Sequence, residues 1–515
     1  MVQDYSDNNK RIAKNTLLLY FRMLLTMGIS LYTSRVVLDV LGVVDFGIYN
    51  VVGGFVAMFI FISGAMTTAT QRFLSFEIGK GEKGNLQSLF STLVIIHFIL
   101  AIIVLVLAET VGLWFLNTHM NFPKERYVAA NWVFQFSVFT FLINVVSVPY
   151  NAAIVAYEHM KAFAYVSIVD VCLKLLVVYM LLSISTYDKL IVYAFFLALI
   201  AITLRVIYGI YCNRKFKECR CNFVWNKTYG MNMLSFVSWN LIGSIAGVAK
   251  EQGINVLLNI FFGATVNAAR GIAHQVLNAV TGFVSNFQLA MNPQIVKLYA
   301  LGEKKEMFKI VFKGSKYSYL LLLFLSLPVI IETPFILGVW LKSVPEYTVV
   351  FIRLILITAL IDSLSGTLII SMHASGKVRD YQIIVGGLSL LTLPLTYVLF
   401  RMNYPPYMAM VVGMIISLLC HFARLLLLKK SIGIPFTEFV KNVTFRCFCV
   451  SFFSLIVPLW YYYHIQNDNW LSFLSVVIIT VCSTICTIYM LGLSKDEKMF
   501  VRHKMYLAMK YFLAK

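Results

Sequence analysis

Charge is scarce in this chain. Of its 515 residues only 13% are Asp, Glu, Lys or Arg, against about a quarter in ordinary soluble domains. Hydrophobic residues make up 60%, with a mean hydropathy of +0.81. A soluble globular domain is excluded; the composition is that of an all-α polytopic membrane protein. Long connectors are missing too. Fourteen apolar spans are expected, beginning near Lys14, Phe46, Leu89, Val128, Phe163, Lys189, Met231, Thr265, Phe312, Tyr347, Tyr381, Tyr407, Thr437 and Trp470. The stretches between them, the longest around 213–229 and 297–311, leave no room for a soluble catalytic domain. No glycine loop with Lys-Ser/Thr is present to cradle phosphates, so direct ATP use has no support. Of nine cysteines, none falls on an outer loop, and no disulfide framework is implied. Cys212, Cys219 and Cys221 lack a fourth ligand nearby, so no metal is expected. Cys482 and Cys486 share a helix face where apolar packing is the default. The polar N-terminus runs into the first span without a cleavage-site pattern, so no removed secretory peptide is expected.

The charge that is there is lopsided, with a formal net of +20. With the N-terminus in the cytoplasm, about 31 of the Lys and Arg residues fall on the cytoplasmic side, the positive-inside pattern of a plasma-membrane protein with both termini inside. Lys124, Arg126, Lys189, Lys342, Arg353 and Arg401 fall near the other side. A nucleic-acid partner is not expected. The tail, 495–515, mixes Phe500, Leu507, Tyr511 and Phe512 with Arg502, Lys504 and Lys510, as an interfacial helix on anionic lipid would.

Polar residues within the spans are few and ordered. From Thr265 to Ile295, Arg270, His274, Asn278, Thr281, Ser285, Gln288 and Asn292 recur at steps of three and four, which places them on one helix face. Such a stripe cannot face lipid, where each unsatisfied polar group costs several kcal/mol. It faces either a hydrogen-bonded helix seam or a wet cavity. Asn240, Ser244, Gly247, Glu251, Asn255 and Asn259 repeat the pattern one helix earlier. Ser137, Thr140, Asn144, Ser147 and Asn151 repeat it on the fourth helix, and Arg22, Thr26, Ser30 and Thr33 on the first. Four such faces exceed what one seam requires, which favours the cavity.

The chain also repeats itself. A shift of 221 residues carries Gly42 onto Gly263, and Gly81, Glu82 and Lys83 onto Gly302, Glu303 and Lys304. Further on, a shift of 216 brings Lys161, Tyr165 and Val169 to Lys377, Tyr381 and Val385. Two six-helix lobes follow, related by a pseudo-twofold axis along the membrane normal. The expected divisions are 1–229, 230–430, an appended helix pair at 431–494, and the tail. That architecture suits a transporter working by alternating access, not an enzyme.

Six basic residues lie within spans: Arg22, Arg35, Lys174, Arg205, Lys250 and Arg270. Each costs about 2.5–3.5 kcal/mol near the bilayer centre. Arg35 with Asp39, and Asp170 with Lys174, are spaced to pair on their own helices. Lys250 adjoins Glu251. Arg22, Arg205 and Arg270 have no acid at helical spacing. A guanidinium keeps its charge and offers phosphate two parallel hydrogen bonds, each contact worth about 4 kcal/mol at an effective dielectric near 20 before desolvation. These side chains are therefore expected to bind a phosphate or diphosphate group.

Two stretches resemble a known family. Leu41-Gly42, then Phe46-Gly47 and Tyr49, are similar to the first outer hairpin of bacterial O-antigen and capsule oligosaccharide flippases. Pro149-Tyr150-Asn151-Ala152, Glu158-His159-Met160-Lys161 and Phe163-Ala164-Tyr165 resemble the fourth-to-fifth helix connection of the same family, which shares a superfamily with the multidrug and toxin extruders. The resemblance implies that an undecaprenyl-diphosphate-linked oligosaccharide, an O-antigen, capsule or exopolysaccharide repeat unit, is moved from inner to outer leaflet. It implies a cationic cavity lined by the first, second, seventh and eighth helices, and coupling to H+, Na+ or the membrane potential. No bound cofactor is expected. The coupling acid is sought among Glu251, Asp39, Asp170 and Asp362, with Glu251 preferred for its place on a stripe; His274 could also take a proton. Partners would be the lipid-linked substrate, membrane lipids, and the polymerase and other assembly proteins, with the chain acting as a monomer. A drug or toxin extruder of the same fold is the alternative, though its usual cationic cargo calls for acids in the cavity. A membrane polymerase or glycosyltransferase is a third reading, against which Asp45, Glu125, Asp188, Glu346 and Asp468 each stand alone on short loops.

Overall fold

A computed structural model describes residues 2–57, 59–81, 84–119, 124–183, 187–219, 224–341, 344–464, 469–499 and 502, with the side chains of 2–13, 264 and several positions between 31 and 61 outside the description. The described chain is helical almost throughout: α1 (Val2–Ala57), α2 (Ile60–Gly79), α3 (Leu86–Leu107), α4 (Leu113–His119), α5 (Tyr127–Ala156), α6 (Met160–Ser183), α7 (Lys189–Lys215), α8 (Lys227–Phe262), α9 (Ala264–Ala300), α10 (Lys304–Ile331), α11 (Thr333–Trp340), α12 (Thr348–Ser363), α13 (Gly366–Ser375), α14 (Val378–Leu390), α15 (Thr392–Arg401), α16 (Met408–Ile432), α17 (Phe436–Phe439), α18 (Phe445–His464) and α19 (Trp470–Thr487).

By length and hydropathy, ten of the described helices can cross a membrane, or eleven if the bent pair α12–α13 is one span. The expected count of fourteen is not reached. The spans predicted near Lys14 and Phe46 both begin within α1, and that near Thr265 falls on α9; the count of ten or eleven is of the described residues alone.

The glycines of the repeat explain its register. Gly42, within α1, has φ 77°, and Gly263, between α8 and α9, has φ 82°. Gly81 and Gly302, a further 39 residues on in each case, have φ 61° and 78°. Left-handed backbone is costly for residues with a Cβ, so both copies reserve glycine where one helix turns into the next.

The chain divides into two compact units, residues 1–245 with 289–304, and residues 246–288 with 305–515. In the first, α5 is central, packing on α7, α2, α3 and α1; its Val133 and Phe134 join Val178, Leu181 and Leu190 in a dry core. Arg126, just before α5, donates to Asp45 of α1 and to Asp188 at 2.6 Å, while Asp188 also caps α7 through the Leu190 amide at 3.0 Å. Two of the acids that stand singly in the sequence are thus drawn onto one guanidinium. In the second unit, α12 packs on α16, α14 on α16, and α18 on α19.

The tail begins inside the second unit. Glu497 accepts from Lys316 Nζ at 2.6 Å, the Tyr317 hydroxyl at 2.6 Å and the Ser494 amide at 2.7 Å. Lys316 is buried, so Glu497 supplies the charge that lets an ammonium sit within α10. Beyond Met499 the predicted interfacial tail, apart from Arg502, lies outside the described residues, as does Cys221. Burial alone would raise the Glu497 carboxyl; the three donors outweigh it and hold it down at about 2. Truncation after Ser494 should lower the melting temperature of the detergent-solubilised protein, through a loss of about 3–5 kcal/mol, and adding Lys316→Met should recover most of it. Since the folded carboxyl titrates below its unfolded value of about 4.3, its stabilisation is complete above that pH and fades as pH falls toward 2. A truncated chain that melts like the full one would refute this anchoring.

Candidate binding cavity

The stripe on α9 has a definite destination. Arg270, His274, Thr281, Ser285 and Gln288 line one cavity of about 390 Å³, together with Lys250 and Glu251 of α8 and Asp362 of α12. Asn278 is exposed and not part of that lining, and Asn292 belongs to the other unit. The floor is tight. Gln288 donates to Ser318 at 3.1 Å, and a Cβ on Gly366 would collide with the Gln288 side chain. Gly366 opens α13 beside the 40° break with α12, and the space a side chain would take there is filled by the end of Gln288.

Arg270 is buried at 4% exposure, with both terminal nitrogens engaged and its Nε left without a hydrogen-bond partner. Its Nη2 meets Glu251 Oε2 at 2.5 Å, and its Nη1 donates to the Asn255 side chain and, at 3.4 Å, to the Glu251 carbonyl. His274 Nε2 stands 3.7 Å from the same Glu251 oxygen. Arg270, which has no acid at helical spacing, therefore has one in space, and the expectation of an unpaired guanidinium is corrected. Glu251 lies on the neighbouring helix, beyond the Gly263 reversal, where helical spacing cannot detect it. Glu251, Arg270 and His274 also border a second hollow, of about 500 Å³, with Gln252, Asn255 and Asn267. The cluster therefore separates the cavity from a vestibule toward the α8–α9 turn.

Asp362 is exposed to the cavity and accepts from Ser417 of α16. Lys250 and Arg270 are thus matched by Glu251 and Asp362 within this lining. This cavity, which lies within the second unit and is balanced in charge, is not the cationic central cavity lined by the first, second, seventh and eighth helices that the resemblance implied.

The remaining predicted residues lie in the first unit. Arg22 of α1 stacks its guanidinium 4.8 Å from the Phe163 ring and donates to Ser167 at 3.4 Å. Arg205 of α7 sits 3.8 Å over Tyr150. Both rings belong to the stretches that carried the family resemblance, and a cation over an aromatic face in a dry site is stabilised by about 2 kcal/mol. Lys174 pairs with Asp170 at 2.8 Å, as their spacing suggested. Glu158, in the left-handed turn after α5 (φ 61°), accepts from Lys297 at 2.7 Å and Gln294 at 3.0 Å. Asn240 is buried on α8, Ser244 partly so, Asn144 on α5 is exposed, and Asp39 on α1 is exposed. The side chain of Arg35 lies outside the described ones.

Two enclosed cations left little trace in the sequence. Arg72 lies 4.5 to 5.4 Å from the rings of Phe73, Phe76 and Phe236; Phe76 at the fourth position on was a usable signal. Arg424 falls among the cytoplasmic charges by sequence, yet it is mostly enclosed on α16 and donates from Nε to the Tyr381 hydroxyl at 3.2 Å. Among the described residues no group of three or more metal-type ligands occurs.

The MatE family matches residues 19–180. No curated protein matches the chain. Among solved structures, a mutant form of the Vibrio cholerae MATE transporter VcmN is 16% identical, covering 83% of this chain and 97% of its own, with a TM-score of 0.68. A MOP superfamily transporter from Pyrococcus furiosus, described as having a binding pocket of reverse polarity that suggests a different function, is 11% identical over 84% and 96%, with a TM-score of 0.69. A MATE in the bent conformation is 11% identical over 85% and 97%, also at 0.69. Likeness at this level is one of fold, and the chain has the fold of these multi-pass transporters.

The pairing of Arg270 can be measured by a thermal double-mutant cycle. Glu251→Ala should destabilise the solubilised protein by about 2 kcal/mol, less than for a wholly buried pair because the carboxylate is partly exposed. Adding Arg270→Met should restore much of the loss. Strict additivity of the two changes would show that the groups do not interact.

Proposed function

We propose that this chain is a secondary transporter, not an enzyme, which exports an organic solute across a bacterial cytoplasmic membrane by alternating access. The observation that carries the proposal is the cavity where the α9 stripe, the Glu251–Arg270 pair and Asp362 meet. Ionisable groups at membrane depth are expensive and mark solute or ion pathways when they border a cavity. A volume of about 390 Å³ lies within the range that holds drug-sized ligands. Both the balanced charge of the lining and the fold shared with MATE transporters support a small-molecule extruder.

Glu251 is the group we assign to coupling, with Asp362 as the second acid of the same cavity, and H+ or Na+ as the driving ion. In the resting arrangement Glu251 neutralises Arg270. A cation or proton taken up at Glu251 would release that guanidinium, so ion occupancy and the charge offered to a solute are linked through one carboxylate. Asp39 and Asp170 lie in the other unit, and Asp170 is already held by Lys174.

A second reading, the flippase for undecaprenyl-diphosphate-linked oligosaccharides, is favoured by a specific observation: Arg22 and Arg205 stack on Phe163 and Tyr150, residues of the very stretches that resemble that family. The Pyrococcus protein, whose pocket polarity is described as reversed, is a precedent for charge, not fold, choosing the cargo.

One pair of assays separates the readings. In a drug-hypersensitive bacterial host, expression should speed ethidium efflux; in a flippase-deleted host it should leave surface polysaccharide unrestored. Restoration without efflux would replace the first reading by the second, and neither effect would remove both. Glu251→Gln and Asp362→Asn should each cut ion-driven efflux about tenfold, a rise of ~1.4 kcal/mol in the barrier. Unchanged efflux in Glu251→Gln across pH and sodium concentration would reject its assignment.

A further inference from the structure

The exposed face of α7 changes character within one turn. Leu199, Ile202, Val206 and Ile210 are 45%, 37%, 50% and 49% exposed, and their spacing of three to four residues sets them along one side of the helix. Arg214 follows Ile210 by four, on that same side, with Lys215 beside it in the last turn. Together Ile207, Ile210, Tyr211, Arg214 and Lys215 line a groove of about 380 Å³.

Both cations are available. Arg214 and Lys215 are exposed and make no ion pair among the described residues. The carboxylate of Glu218, in the turn beyond, is engaged by Tyr157. Behind the groove, Tyr211 is fixed by its hydroxyl to His159 Nδ1 at 2.9 Å, and Phe216 is stacked on Tyr157 with centroids 4.2 Å apart. The wall is therefore rigid and aromatic, and only the cations remain free to engage a ligand. The C-terminal helix dipole opposes an anion here with about half a unit charge, which two full positive charges outweigh.

We propose that this groove is a binding site for an anionic phospholipid, with the phosphate between Arg214 and Lys215 and an acyl chain along Ile210 and Val206. A free phosphate would use only the charged end and leave the isoleucines in contact with lipid as before. The joined apolar and basic surfaces fit a ligand that carries both. The last turn of α16 also carries a basic pair, Lys429 and Lys430, and Lys430 corresponds to Arg214 at the 216-residue shift. That turn provides an internal control for bulk attraction of anionic lipid to basic helix ends.

The test is native mass spectrometry of the full chain in detergent, titrated with phosphatidylglycerol or with phosphatidylcholine of the same acyl chains. Phosphatidylglycerol should be retained preferentially. Arg214→Gln with Lys215→Gln should weaken its binding about tenfold, since each basic residue near an anionic lipid contributes about 1 kcal/mol; Lys429→Gln with Lys430→Gln should change it less than twofold. Equal loss in the two double variants would mean non-specific attraction and would overturn the site. So would effective competition by millimolar inorganic phosphate, or equal retention of phosphatidylcholine. Ile210→Ser, which keeps both charges, should weaken binding several-fold; no effect would assign the site to phosphate alone and overturn the lipid reading.

Discussion

An ion inside a hydrocarbon layer must be neutralised, stacked or wetted, and this constraint organises the molecule. A bare charge at the bilayer centre costs more than a typical hydrogen bond returns. Accordingly Lys174 meets Asp170, Arg270 meets Glu251, Lys316 meets Glu497, and Lys297 meets Glu158. Arginines also lie on aromatic rings, as Arg22, Arg72 and Arg205 do. Replacing such pairs by hydrocarbon is often neutral or stabilising, so their cost is best understood where they border open space. The Arg270 pair and Asp362 do so, combining a charged wall with a cavity of useful volume.

Much of the fold was legible because membrane helices leave few ambiguities. Apolar length announces a span, and a polar stripe at helical period announces which side is inward. The α9 stripe was read in this way, and five of its seven residues line the cavity. The repeat was legible through Gly42, Gly81, Gly263 and Gly302, since positive φ leaves a residue type in the sequence. What could not be read were contacts between helices distant in sequence. Helical spacing reports partners three or four residues away; Glu251 is 19 residues from Arg270, and Glu497 is 181 from Lys316. The same limit concealed the balance of charge in this cavity.

The stretch from Pro149 to Tyr165 shows how a sequence signature can have a mechanical basis. Tyr150 and Phe163 receive Arg205 and Arg22, and Glu158 adopts a left-handed turn that aims its carboxylate at Lys297 and Gln294. One short connection thereby holds α1, α7 and the end of α9. A protein built this way can vary its lipid-facing residues widely while these few contacts stay in place.

The dependence of Lys316 on Glu497 has a consequence for biogenesis. A chain is made from its N-terminus, so α10 leaves the ribosome long before the residue that balances its ammonium. Until the last helices have been inserted, Lys316 must borrow another counter-ion, keep a water shell, or wait at the membrane surface. The second unit therefore cannot reach its final electrostatic state during early insertion, and its closure waits on the synthesis of a residue 181 positions further along the chain.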